Sequence, residues 1–80
     1  MKAVCVIWED TVGVSTDWTA IKKLRKGKTA LIASYGLLLE KTKEKVVILP
    51  HYAPGKGAVG CGEMRIPISA VRKIHKLKKA

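Results

Sequence analysis

Eighty residues amount to one small domain, which buries only about 60–65% of its unfolded surface and so excludes a large enclosed active-site cleft. Sixteen Lys and Arg against six Asp and Glu give a formal charge of +10, a field that repels cationic ligands and attracts phosphate polymers, nucleotides or acidic protein surfaces. Apolar residues make up 48% of the chain in short runs of Val, Ile and Leu; this excludes intrinsic disorder, and no run reaches the roughly 20 residues that cross a bilayer.

The first run, residues 3–8, alternates Val4, Val6 and Trp8 with Ala3, Cys5 and Ile7, and both sets are apolar. That pattern predicts a strand covered on two sides, at the centre of the fold. Residues 9–16 carry Asp10, Gly13 and Ser15 and read as a loop. Asp17 then caps a short helix over residues 18–24, with Trp18, Ile21 and Leu24 on one face. Gly27, between Lys26 and Lys28, ends that helix. With Phe absent, the interior has to be filled by Leu, Ile, Val, Trp8, Trp18 and Tyr35.

Residues 29–41 form a long apolar strand whose Gly36 permits a bend or bulge, and the polar break at residues 42–45 turns it into a hairpin with residues 46–49. Pro50 stops that strand, and the glycine-rich stretch 51–61 reads as a loop. Strand character resumes at residues 63–66. Pro67 interrupts it, and residues 68–70 make one 3₁₀ turn. The last element has two readings. Val71, Ile74 and Leu77 are spaced for a helix, whereas a closing strand separates Arg72, Ile74 and Lys76 from Val71, Lys73, His75 and Leu77.

Trp8-Glu9-Asp10-Thr11, the second tryptophan, Ser34-Tyr35-Gly36-Leu37-Leu38-Leu39-Glu40, Val47-Ile48-Leu49-Pro50-His51 and Met64-Arg65-Ile66-Pro67-Ile68-Ser69-Ala70-Val71 stand in this order along the chain. In these pieces the chain resembles a group of small uncharacterised bacteriophage-encoded proteins that look like SH3-like barrels. The resemblance implies a C-terminal closing strand and no activity. The expected fold is mainly β: a small SH3-like or Sm-like barrel of about five strands with one short helix between strands 1 and 2. Residues 1–80 are expected to form that single domain, with a basic C-terminal end at 72–80.

Nothing in the chain carries a catalytic signature. Gly55-Lys56-Gly57-Ala58-Val59-Gly60 fits the dinucleotide pattern in letters, but the strand before it, the helix after it and the acidic residue of a βαβ unit are missing. A pliable loop, or a backbone nest for an anion aided by Lys56, is the simpler reading. Cys5, Cys61, His51 and His75 lack metal-ligand spacing. They read as core cysteine, free thiol and surface histidines. Glu9 and Asp10 are neighbours in a strand, so they point to opposite faces and shape a loop rather than share a proton.

The clustered cations carry the functional expectation. Lys22, Lys23, Arg25, Lys26 and Lys28 surround the helix end, and Arg72, Lys73, Lys76, Lys78 and Lys79 occupy the closing segment. On one side of the molecule they would form a groove for the phosphate backbone of DNA or RNA. The arginines are three, Arg25, Arg65 and Arg72, too few for close base reading. The sequence therefore predicts a non-enzymatic phage accessory protein that binds nucleic acid electrostatically, without cofactor, metal or membrane. The alternatives are an anti-defence protein that sequesters an anionic nucleotide signal in a ligand pocket of Tyr35, His51, Lys56 and Gly57 at a subunit boundary, or an inhibitor of a host protein. Homo-oligomerisation is compatible with a small barrel's open edges. Met1-Lys2 leads directly into a strand-like run, so a soluble chain in the cytoplasm, the host's if phage-encoded, is expected.

Overall fold

The computed structural model describes residues 1–11 and 16–78. Seven strands account for most of it: β1 (Ala3–Asp10), β2 (Ala30–Lys41), β3 (Lys45–Leu49), β4 (His51–Ala53), β5 (Val59–Cys61), β6 (Met64–Pro67) and β7 (Val71–Lys76). A four-residue helix, α1 (Ile21–Leu24), lies between β1 and β2, and a 3₁₀ turn (Ile68–Ala70) joins β6 to β7. The closing segment is thus a strand. Helical spacing of Val71, Ile74 and Leu77 loses because β7 pairs along most of its length with β1.

Five strands form one antiparallel sheet in the order β6-β3-β2-β1-β7, and β4 and β5 pair separately. The middle position belongs to β2, not to β1, because β2 is the strand long enough to pair with both β1 and β3. The sheet's two edges, β6 and β7, are consecutive in the chain. Five flat strands would hold those edges about 19 Å apart, whereas three residues of 3₁₀ helix rise only about 6 Å. The sheet therefore has to curl. Its edges approach without pairing, so the curl stays open.

Curling turns one face of the sheet into an interior. Val4, Val6, Val46, Ile48 and Ile66 form the buried cluster, and Trp8, Leu38, Ile68, Ala70, Val71 and Ile74 pack against it. Each fully buried Val or Ile contributes roughly 1.5–3 kcal/mol. The 3₁₀ turn caps this interior with Ile68 and Ala70, and it is pinned by the Ile68 N–H, which donates to the Glu44 carbonyl at 2.8 Å. Trp8 brings a polar atom with its ring; its Nε1–H donates to Ser34 Oγ at 3.0 Å. On the outer face Cys5, Val47 and Leu49 are also buried, as the two-sided apolar pattern of the first run requires for Cys5.

Two ladder irregularities shape the curl. Between β2 and β3 the register slips at Leu39, and between β1 and β7 it slips at Arg72. Gly36 is not itself the bulge. Its role is close approach: a Cβ there would lie 3.0 Å from the Leu49 carbonyl oxygen and 3.2 Å from the Leu49 nitrogen. Backbone, unlike a side-chain tip, cannot swing away.

Two excursions leave the sheet. Residues 16–29 are exposed almost throughout, and α1 has no buried residue. The helix is shorter than residues 18–24: Ala20 occupies its N-cap position without a side-chain cap bond, so Asp17 does not start it. Trp18 is 106% exposed, contrary to the expectation that it fills the core: the segment that carries it is not packed onto the sheet, and α1 beside it buries no residue. The stretch 51–61, expected as a loop, folds instead into the β4–β5 hairpin, whose turn is made by residues 54–58 with Gly55 and Gly57 at positive φ. The radius of gyration is 16.6 Å, against about 12 Å for a compact chain of this length. The predicted loop around Gly13 and Ser15 falls outside the described residues.

Gly36→Val is expected to destabilise the fold by about 1–3 kcal/mol, since β3 must move to admit the side chain. A urea unfolding curve with an unchanged midpoint would show that β3 is free to shift.

Candidate nucleic-acid interface

The first cationic cluster rides on the excursion between β1 and β2. Lys22 and Lys23 lie within α1, Arg25 follows as its C-cap, and Lys26 and Lys28 continue the chain towards β2. All five side chains are exposed. Short-range backbone bonds hold the turn: the Lys23 and Leu24 N–H groups donate to the Ala20 carbonyl at 3.0 and 3.1 Å, and Arg25 N–H donates to the Ile21 carbonyl at 3.0 Å. Cations at the C-terminal end of even one helical turn meet the partial negative charge of its free carbonyls. Ion pairs among the described residues join Lys45 to Glu40, Arg65 to Glu63 and Arg72 to Glu9, so none of these five cations takes part in one.

The second cluster is not a single face. The register sets Lys73 opposite Ile7 and Lys76 opposite Val4, and neighbouring positions of β1 face opposite sides of the sheet. Lys73 consequently shares a side with His75, which lies opposite Cys5, while Lys76 belongs to the side of Val4. Arg72 differs from the other described cations of this cluster in being ion-paired. Its Nε lies 2.6 Å from Glu9 Oε1, and its Nη1 donates to the Ser69 carbonyl at 2.8 Å. With its charge matched by Glu9 and its Nε and Nη1 engaged, Arg72 ties the start of β7 back to the protein. Lys78 lies just beyond β7, and Lys79 falls outside the described residues.

Glu9 is the hub of that tie. Its second oxygen accepts from Thr29 Oγ1 at 2.9 Å, so one carboxylate binds the start of β7 and the return of the basic excursion to the sheet. Hydrogen bonds from Arg72 and Thr29, with the guanidinium charge beside them, hold the Glu9 carboxyl below the usual carboxylate range. Nothing in the spacing of Glu9, Thr29 and Arg72 signals this. Sequence reasoning makes Glu9 a loop-shaper.

The residues expected to line a ligand pocket do not converge. Tyr35 sits opposite Cys5 on the outer face, where a hydrogen bond with Cys5 raises its pKa. It borders a shallow cleft of about 280 Å³ with Ala3, Leu37, Leu49 and Leu77. His51 lines a different cleft of about 530 Å³ with Tyr52, Val59 and Cys61 on the β4–β5 hairpin. Lys56 and Gly57 form the hairpin's turn and line neither cleft. The separation follows from residues 51–61 pairing with themselves rather than folding back over Tyr35.

Pairing also sets His51 directly opposite Cys61, a juxtaposition that loop reasoning could not supply. Among the described residues no hydrogen bond joins the two, and no group of three or more His, Cys, Asp and Glu side chains is placed to hold a metal. No helix of the described residues is long and apolar enough to cross a membrane. Compared with family models, curated proteins and solved structures, the chain matches none.

Replacing Glu9 by Gln is expected to lower the melting temperature at neutral pH. Because the folded pKa of Glu9 is depressed, the stability it supplies is full above the unfolded value and disappears as pH falls through the folded value. Melting curves of the two proteins should therefore converge in acid. A difference that persists at low pH would assign the effect to something other than this carboxylate.

Proposed function

We propose that the chain is a non-enzymatic nucleic-acid-binding protein that grips phosphate backbones through its projecting basic segment. The observation that carries the reading is the concentration of Lys22, Lys23, Arg25, Lys26 and Lys28 on one exposed excursion, with none of the five in an ion pair among the described residues. Each phosphate neutralised releases condensed counterions, so such a segment binds duplex DNA with an affinity that falls steeply with salt. Lysines on flexible stems follow a backbone and do not read base edges, which makes the binding weakly sequence-specific.

The scaffold is an SH3-like barrel left open at one seam. Support for this comes from the long strand β2 shared between both halves, and from the 3₁₀ turn that leads from one sheet edge to a last strand paired with the first. On this scaffold the basic segment occupies the connection between the first two strands, where insertion does not disturb the core. The resemblance to phage-encoded proteins supports an accessory role in an infected cell, with DNA or RNA as the partner.

The test is a salt titration of binding to duplex DNA and to single-stranded RNA. Affinity should fall linearly on logarithmic axes, and the variant Lys22→Gln/Lys23→Gln should lower the slope by about 2 for duplex DNA, roughly 0.9 for each phosphate left without its lysine. Binding insensitive to salt, or a slope unchanged in the variant, would overturn the proposal.

A further inference from the structure

The second lysine cluster, although split by the sheet, acquires a partner that lies at the other end of the chain. Beyond the ends of β1 and β7 the ladder continues: the Leu38 N–H donates to the Lys2 carbonyl at 2.7 Å, and the Leu77 N–H donates to the Ala3 carbonyl at 2.9 Å. These bonds hold Lys2 next to the exit of β7. Alternation then sets Lys2 two residues before Val4, on the side that Lys76 occupies opposite Val4, with Lys78 two residues further on.

The three ammonium-bearing side chains line one cleft of about 310 Å³, whose remaining walls are Met1, Ala3, Leu37 and Leu77. No carboxylate is among its described lining residues. A volume of this size is at the lower end of those that hold small molecules, and the combination of an apolar floor with a few convergent charges is the usual make-up of such sites. Three cations with no counter-charge among the described lining residues make a local field that attracts an anion. A side-chain hydrogen bond with Lys76, the repulsion of its ammonium and slight desolvation together push the Lys2 pKa below its ordinary value.

We infer that this cleft, which runs over the strand ends, is a binding site for a small phosphate ester, with the phosphate held between Lys2, Lys76 and Lys78 on the Val4 side and the organic body reaching across the ends to Leu37 and Leu77, which alternation turns to the outer side. A doubly charged phosphate oxyanion accepts several charge-assisted hydrogen bonds at once and so relieves the repulsion between Lys2 and Lys76. The site is separate from the basic excursion and uses none of its residues. A nucleoside monophosphate has both parts the cleft offers to recognise, a compact dianion and a base whose flat face packs on apolar side chains. Whether the phosphate belongs to a free nucleotide or to the phosphorylated end of a strand, the chemistry at the three lysines is the same.

Calorimetric titration of the whole chain with adenosine 5′-monophosphate, inorganic phosphate and adenosine tests this. The monophosphate should bind one per chain, inorganic phosphate more weakly, and adenosine not at all. Lys2→Gln and Lys76→Gln should each weaken the monophosphate by about tenfold, the scale of one charged hydrogen bond, while Lys22→Gln/Lys23→Gln leaves it unchanged. Amide shifts confined to Lys2, Leu37, Leu77 and Lys78 during the same titration of the unaltered protein give a readout that needs no variant. Displacement of the monophosphate by a 5′-phosphorylated oligonucleotide, but not by its 5′-hydroxyl twin, assigns the phosphate to a strand end; no displacement assigns it to the free nucleotide. Absence of monophosphate binding, or binding indifferent to Lys2→Gln and Lys76→Gln, overturns the site. Either result leaves the salt slope governed by Lys22 and Lys23 intact, so the two proposals fail separately.

Discussion

A three-residue turn between the two edges of a five-stranded sheet is the constraint from which the other features follow. Because Ile68–Ala70 cannot span a flat sheet, the strands must wrap, and wrapping is what gives so short a chain an interior. The same turn closes that interior, since Ile68 and Ala70 lie against Val4, Val6, Val46, Ile48 and Ile66. Glycine at position 36 is the complement of this constraint on the opposite side of the curl. It lets the backbone of β3 come within a distance that any side chain would obstruct.

A core made of β-branched residues suits this geometry. Val and Ile fill a pleated, curved surface with little rotamer loss, and a single large ring, Trp8, bridges the remaining space with its polar atom bound to Ser34. Trp18, Ile21 and Leu24 take no part in that interior and stay exposed. Positive charge is excluded from the interior by its desolvation cost and collects on the connections and strand ends. Glu9 works at the join between these two regions. By holding both Arg72 and Thr29, it sets the root of the basic excursion against the last strand.

Much of the β architecture is legible along the chain. The alternation of Val4, Val6 and Trp8, the polar break at residues 42–45, the stop at Pro50 and the Pro67-marked 3₁₀ turn each rest on local chemistry, and each appears where local chemistry puts it. The errors arise where propensity alone does not decide. Trp18 reads as core because an amphipathic face implies a neighbour, and it is fully exposed; residues 51–61 read as a loop because glycine and proline imply freedom, and they pair with themselves as a short hairpin. The ambiguity at residues 71–77 is of the same kind. Spacing alone cannot weigh one turn of apolar stripe against a ladder to β1.

The amino-acid sequence by itself determined the class of the protein: mainly β, with a small aliphatic core and a strong surplus of positive charge, part of it gathered on one polar connection. These follow from hydrophobic period, turn chemistry and charge count, which act between near neighbours. Only the tertiary structure decided which cations stand together. Strand register set Lys73 and Lys76 on opposite faces, drew Arg72 into a pair with Glu9 and brought Lys2 beside Lys76 and Lys78. Register arises from pairing residues at opposite ends of the chain, and a one-residue slip reverses every side chain, so no local pattern could have contained it.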